Sequence, residues 1–209
     1  MSTFKNTDGK SVLLKMVKGI QDNKAYLGEV DGLIGDGDHG MNMNKGFTVF
    51  ETRFADKEIG FTEGLDELGM ILLNEIGGSM GPIYGTILMD MAEVGEDLEN
   101  IGLEDFAKML EAGLEGLCGI VDARVGDKTL VDTLSPSVDA LKDGINSGIS
   151  FKDALENMKA AADKGRDSTK DMVAKFGRSS RLGGTLSRSA RCRCHIMLYY
   201  FKFYGRWHH

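Results

Sequence analysis

Residues 65–83 read Leu65-Asp66-Glu67-Leu68-Gly69-Met70-Ile71-Leu72-Leu73-Asn74-Glu75-Ile76-Gly77-Gly78-Ser79-Met80-Gly81-Pro82-Ile83. Leu65, Leu68, Leu72, Leu73 and Ile76 recur at the three- and four-residue intervals of a helical stripe, not at the alternate positions of a strand. Gly77-Gly78 ends that stripe. Pro82 suits the first turn of a second helix, where its missing N–H costs nothing, and Ile83, Ile87, Leu88 and Met91 continue the apolar face. Two helices joined by a short glycine loop are the unit this stretch predicts.

The same punctuation extends in both directions. Val12, Leu13, Met16, Val17 and Ile20 mark one face of a first helix, and Phe106, Met109, Leu110, Leu114 and Leu117 another. Asp127 is placed to cap a segment starting at Lys128. Ser150 and Asp153 have capping-box spacing and open a helix carrying Phe151, Ala154, Met158 and Ala161. Clean alternation of the kind a half-buried strand requires is hard to find. The expectation is an all-α, up-and-down antiparallel arrangement of about seven or eight helices, with short connections and no internal repeat.

At 209 residues, 42% hydrophobic and 27% charged, the chain has the composition of one ordinary globular domain. Cys118, Cys192 and Cys194 show no disulfide-framework spacing, which suits a reducing compartment. No apolar run approaches the roughly 20 residues needed to cross a bilayer, so no membrane is expected and the location read from the sequence is cytoplasmic. A formal charge of -7 argues against general nucleic-acid binding. The charge is uneven: no acidic residue follows Asp171, while Lys175, Arg178, Arg181, Arg188, Arg191, Arg193, Lys202 and Arg206 crowd the end.

Residues 31–44 read Asp-Gly-Leu-Ile-Gly-Asp-Gly-Asp-His-Gly-Met-Asn-Met-Asn, and their glycines predict a loop across most of the stretch. Asp31, Asp36 and Asp38 would repel one another there unless a hard divalent ion lay between them. The calcium EF-hand fails on spacing, because a loop begun at Asp36 has Gly40 at its fifth position and Phe47 at its twelfth. Magnesium, which keeps coordination places for phosphate oxygens, is the better match; a solvated Asp-Gly turn would use the same residues. Gly77-Gly78-Ser79-Met80-Gly81-Pro82 precedes a helix whose N–H groups could receive phosphate, and Gly126-Asp127-Lys128-Thr129 is a weaker third candidate. Gly9-Lys10-Ser11 is not a P-loop, since Phe4 stands where the first glycine belongs. His39, beside Asp38, is a candidate for a metal-adjacent or phosphate-adjacent role.

Tyr26-Leu27, Gly35-Asp36-Gly37-Asp38-His39-Gly40, Asn42-Met43-Asn44, Gly46-Phe47, the Gly77–Pro82 loop with Tyr84-Gly85-Thr86, Gly126-Asp127-Lys128-Thr129 and Lys175-Phe176-Gly177-Arg178 together resemble the nucleotide-binding subunit of dihydroxyacetone kinases, in order and spacing, over about the first 183 residues. That resemblance implies an eight-helix antiparallel barrel whose loops at one end hold ADP or ATP through two magnesium ions. It implies metal ligation by Asp31, Asp36 and Asp38. His39, Gly40, Met41 and Asn42, with Gly78, Ser79, Met80 and Gly81, would surround the phosphates, and Thr129 and Leu130 would lie by the adenine. Arg178 would reach the phosphates or the transfer site as the catalytic residue. The implied partners are a substrate-binding subunit that holds dihydroxyacetone and a phosphohistidine donor protein of the sugar phosphotransferase system. A homodimer is compatible with it, and an ADP-sensing regulator that contacts a transcription factor is the alternative use of the same surfaces.

Residues 184–209 depart from the family pattern, giving a division into a nucleotide-binding domain at 1–183 and a divergent basic, aromatic segment after it. Cys192, Cys194 and His195 fall within four residues, which does not make a typical tetrahedral zinc site. The expected consequence of the divergence is a nucleotide pocket with one wall missing.

Overall fold

A computed structural model describes residues 3–33, 35–177, 180 and 192–197. Seven long helices follow in order: α1 (Lys10–Gly32), α2 (His39–Phe54), α3 (Phe61–Glu75), α4 (Met80–Gly95), α5 (Leu103–Ile120), α6 (Val131–Asn146) and α7 (Phe151–Ser168). Residues 192–197 are helical as well. Each long helix packs on its neighbours in the sequence, from α1 on α2 through to α6 on α7. The all-α, up-and-down arrangement predicted from the apolar stripes, and the helical barrel that the resemblance implies, are therefore the architecture observed.

Antiparallel order brings alternate connections to the same end. The turns after α1, α3, α5 and α7 share one end of the barrel, and those after α2, α4 and α6 share the other. The second end is closed by a short strand pair with no counterpart among the sequence expectations: β1 (Phe4–Lys5) lies antiparallel to β2 (Asn100–Ile101), with Phe4 opposite Ile101. Asn6 completes the closure. Its side-chain amide donates to the Leu98 carbonyl at 2.8 Å and its side-chain oxygen accepts from the Thr62 amide at 3.0 Å. Inside, Phe47, Phe50, Phe61, Tyr84 and Phe106 are fully buried. Leu73, assigned to the apolar stripe of α3, instead points outward with 41% of its surface exposed.

Helices approach most closely where a side chain is absent. A Cβ on Gly40 would lie 2.0 Å from the Lys24 carbonyl oxygen of α1, and one on Gly165 would lie 2.1 Å from the Asp132 carbonyl oxygen of α6. Pro136, inside α6, has no N–H to offer the Asp132 carbonyl. Glycines thus set the spacing of both helix pairs at the open end.

Residues 192–197 fill a place between α1 and the entry to α6. The Cys192 thiol donates to the Leu27 carbonyl at 3.2 Å, the Cys194 thiol to the Thr129 carbonyl at 3.0 Å, and the His195 ring meets Tyr26 edge-on at 5.3 Å. The wall expected to be missing is occupied over these residues. Cys192, Cys194 and His195 point to three different neighbours, so they do not form a common metal site. Among the described residues no helix is long and apolar enough to cross a membrane.

Burial pushes the His195 imidazole down to about 4; the charges of Arg166 and Lys170 act in the same direction and that of Asp167 opposes them. The unfolded chain takes up this proton near 6.5 and the folded chain only near 4, so stability falls as pH drops through that window. Urea titrations at pH 7 and pH 5 should show His195→Gln losing less stability on acidification than the parent; equal losses would remove His195 as the cause. Gly165→Ala should cost about 1–3 kcal/mol by overpacking. Gly119→Ala, where a Cβ meets nothing within 4 Å, should be neutral or stabilising in the same urea assay.

Candidate functional site

Asp31 sits in the last turn of α1 and the chain folds back over it. The Gly35 amide donates to the Asp31 carbonyl at 2.6 Å, and the Gly37 amide to its carboxylate at 3.0 Å. Gly37 has φ of 76°, a left-handed conformation that only glycine adopts cheaply. The turn delivers Asp36 and Asp38 to Asp31, with carboxylate oxygens of all three within 4.8 Å of one another. The loop predicted over 31–44 is shorter than expected, because α1 runs to Gly32 and α2 begins at His39. The glycine in that first turn, Gly40, serves close packing on α1 instead of breaking the helix.

Burial raises the Asp38 carboxyl above its ordinary value; its hydrogen bond with Asp36 and the charges of Asp36 and Asp31 add to the rise, and the Asn42 amide, 2.8 Å away, opposes it. A divalent cation among these oxygens would reverse that balance. The donor set is oxygen only, which fits a hard ion such as magnesium. His39, the first residue of α2, is buried, with Nε2 3.2 Å from the Tyr84 hydroxyl of α4.

Three helices, α2, α4 and α6, start at this end and present N–H groups there. Before α4, Gly78 turns with φ of 72° and the Ser79 hydroxyl accepts from the Arg193 guanidinium at 2.8 Å. Met80 and Gly81 pack inward: a Cβ on Gly81 would lie 2.6 Å from the Leu72 carbonyl oxygen. Met41 is 58% exposed. Ser79, Thr129 and Leu130 share a cavity of about 340 Å³ whose apolar lining comes from Ile83, Leu117, Ile120, Val121 and Phe176, with Arg193 on its wall. Its volume and apolar lining suit a flat heterocycle. Arg178 lies outside the described residues.

The loop before α6 is organised by a residue that the sequence reading did not single out. Asp132 accepts from the Gly126 amide and the Thr129 amide, both at 2.6 Å, while Thr129 Oγ1 accepts from the Val131 amide at 3.2 Å. The spacing Thr129-x-x-Asp132 is a capping pattern and was legible as such. Asp127 is not the cap. It accepts from the Arg124 amide at 2.8 Å and pairs with Lys175, and the Lys175 hydrogen bond is the main cause holding its carboxyl below the usual range. Between the two amides on Asp132, Lys128 adopts φ of 57°, a strained conformation for a residue with a side chain.

The DAK2 domain family matches residues 33–188. The chain is similar to the "PEP-dependent dihydroxyacetone kinase, ADP-binding subunit DhaL" of Escherichia coli strain K12, at 37% identity over 161 residues and 76% of each chain. A "PTS-dependent dihydroxyacetone kinase, ADP-binding subunit DhaL" from Lactococcus lactis is 36% identical over 173 residues, covering 81% of this chain and 80% of that one. The dihydroxyacetone kinase of C. freundii superposes with a TM-score of 0.73 at 18% identity, covering 93% of this chain and 33% of that one. A second structure of that enzyme, "in complex with AMP-PNP and Mg2+", gives a TM-score of 0.71 at 17% identity, covering 98% of this chain and 34% of that one. These two likenesses show the fold, and the chain spans about a third of the solved enzyme's length.

Asp132→Ala should free the 126–129 loop and cost about 1 kcal/mol through loss of the cap. Amide hydrogen exchange should rise at residues 126–131 and stay unchanged in α3. Unchanged exchange in the loop would show that Asp132 does not hold it.

Proposed function

Because the chain belongs to the DAK2 domain family, we propose that it is the nucleotide-binding subunit of a dihydroxyacetone kinase, working in complex with a subunit that holds the substrate. The observation that supports this most strongly is the clustering of Asp31, Asp36 and Asp38 beside the starts of α2 and α4 and near a mostly apolar cavity. Residues 1–183 act as the nucleotide-binding domain and 184–209 as a divergent segment, part of which lines the cavity through Arg193.

Asp31, Asp36 and Asp38 hold magnesium, two ions in this reading. When bound, the metal neutralises phosphate oxygens and orients them for in-line transfer. His39, Gly40, Met41 and Asn42 at the start of α2, with Gly78, Ser79, Met80 and Gly81 at the start of α4, surround the phosphates. Their amides stabilise charge that moves during transfer. Thr129 and Leu130 hold the base in the cavity. Arg178 reaches the transfer site, and the partner subunit orients the ketose, so that proximity supplies a large part of the acceleration. ADP stays on this subunit and is recharged by a phosphohistidine protein of the sugar phosphotransferase system; the words "ADP-binding subunit" and "PTS-dependent" in the names of relatives support the nucleotide and the dependence on that system.

Calorimetric titration with ADP in magnesium tests the site. Asp36→Ala and Asp38→Ala should each weaken binding at least about tenfold, or about 1.4 kcal/mol, as should EDTA on the parent. Asp90→Ala, on α4 and outside the loops, should leave it unchanged. Equal losses from all three variants would sink the assignment.

A further inference from the structure

Beside the three carboxylates lies a second set of ligand atoms with a different chemistry. A carboxylate oxygen of Asp31, a ring nitrogen of His39 and the sulfur of Cys192 all lie within 4.8 Å of one another. They come from the end of α1, the start of α2 and the helical segment 192–197. His39 is 4% exposed and Cys192 3%, while Asp31 remains partly open on the side of Asp36 and Asp38. The neighbouring sulfur of Cys194 is directed elsewhere, to the Thr129 carbonyl, and Cys118 is exposed on α5.

Imidazole and thiolate select zinc-like ions over magnesium, which prefers oxygen. Bonds of about 2.0–2.3 Å to a tetrahedral ion space its ligand atoms roughly 3.3–3.8 Å apart. The observed limit of 4.8 Å exceeds that spacing by only about 1–1.5 Å. Histidines that bind metals commonly donate their other ring N–H to a partner, and the Tyr84 hydroxyl stands 3.2 Å from Nε2. Three protein ligands with an open side leave the fourth position to water.

We propose that Asp31, His39 and Cys192 form a site for a thiophilic divalent ion, zinc by preference, whose occupation competes with magnesium for Asp31. On binding, the Cys192 thiol proton leaves to solvent, the hydrogen bond to Leu27 is lost and the sulfur bonds the metal. The site itself rests on the side-chain geometry; only the competition rests on reading Asp31 as a magnesium ligand.

Cobalt reports the site without nucleotide. In full-length protein carrying His208→Ala and His209→Ala, so that the terminal pair binds nothing, cobalt should produce a thiolate-to-cobalt charge-transfer absorption that saturates at one ion per chain and is displaced by zinc. The band should persist in Cys118→Ser/Cys194→Ser, where Cys192 is the remaining thiol, and in Asp36→Ala, and should vanish in Cys192→Ser. No band in the parent, or none in the double variant, would overturn the site even if Cys192→Ser failed to fold. Equimolar zinc should weaken magnesium-dependent ADP binding at least tenfold in the parent and not in Cys192→Ser. A cobalt band with unchanged ADP affinity would overturn the competition.

Discussion

Mutual repulsion among Asp31, Asp36 and Asp38 is the constraint around which the open end of the barrel is arranged. Two unit charges near a protein surface at such separations repel by a few kcal/mol, before further screening by solvent. A flexible loop would relax by moving them apart. Here the turn is held to Asp31 by the Gly35 and Gly37 amides, and Asn42 donates to Asp38 from the first turn of α2. The helix ends act oppositely: Asp31 lies at the unfavourable C-terminal end of α1, whereas Asp38 precedes the favourable N-terminal end of α2. What forces the two ends together is the backbone contact at Gly40, where α2 rests on α1 with no room for a side chain.

The rest of the barrel separates stability from function by end. At the closed end, Asn6 ties the N-terminal strand to α3 through buried hydrogen bonds and to the α4–α5 connection through a partly buried one. At the open end the ties are made by residues that also shape the site. Asp132 is the clearest case: its carboxylate fixes the 126–129 loop, and its carbonyl, beyond the reach of Pro136, lies where Gly165 lets α7 approach. Strain at Lys128 is retained because both flanking amides are bound to the same carboxylate.

Helix stripes made the fold legible because each depends only on residues three and four apart, and the Ser150 cap was readable for the same reason: the Asp153 amide donates to its hydroxyl at 3.1 Å. The errors arose where tertiary contact overrides local preference. Glycines at the start of α2 read as loop residues, although Gly40 is a packing position. Asp127 read as a cap, although Thr129 and Asp132 do that work and Asp127 answers to Lys175, 48 positions on in the numbering. Ile83, Leu117 and Leu130 meet at one cavity from three helices or their edges, a convergence that no local pattern encodes. The three carboxylates were recognisable because they lie within eight residues and owe their meeting to a single turn.

The C-terminal segment shows why an unfamiliar sequence can still occupy a familiar place. A short helix there needs a few small or apolar side chains on its inner faces, and Cys192, Cys194, Ile196 and Met197 are all buried. Helical geometry then turns the intervening Arg193 toward Ser79, where its guanidinium stands on the cavity wall. The open end therefore carries charge of both signs, the carboxylates of Asp31, Asp36 and Asp38 and the guanidinium of Arg193. The cation at this cavity is thus supplied by a residue beyond the stretch that the family model matches.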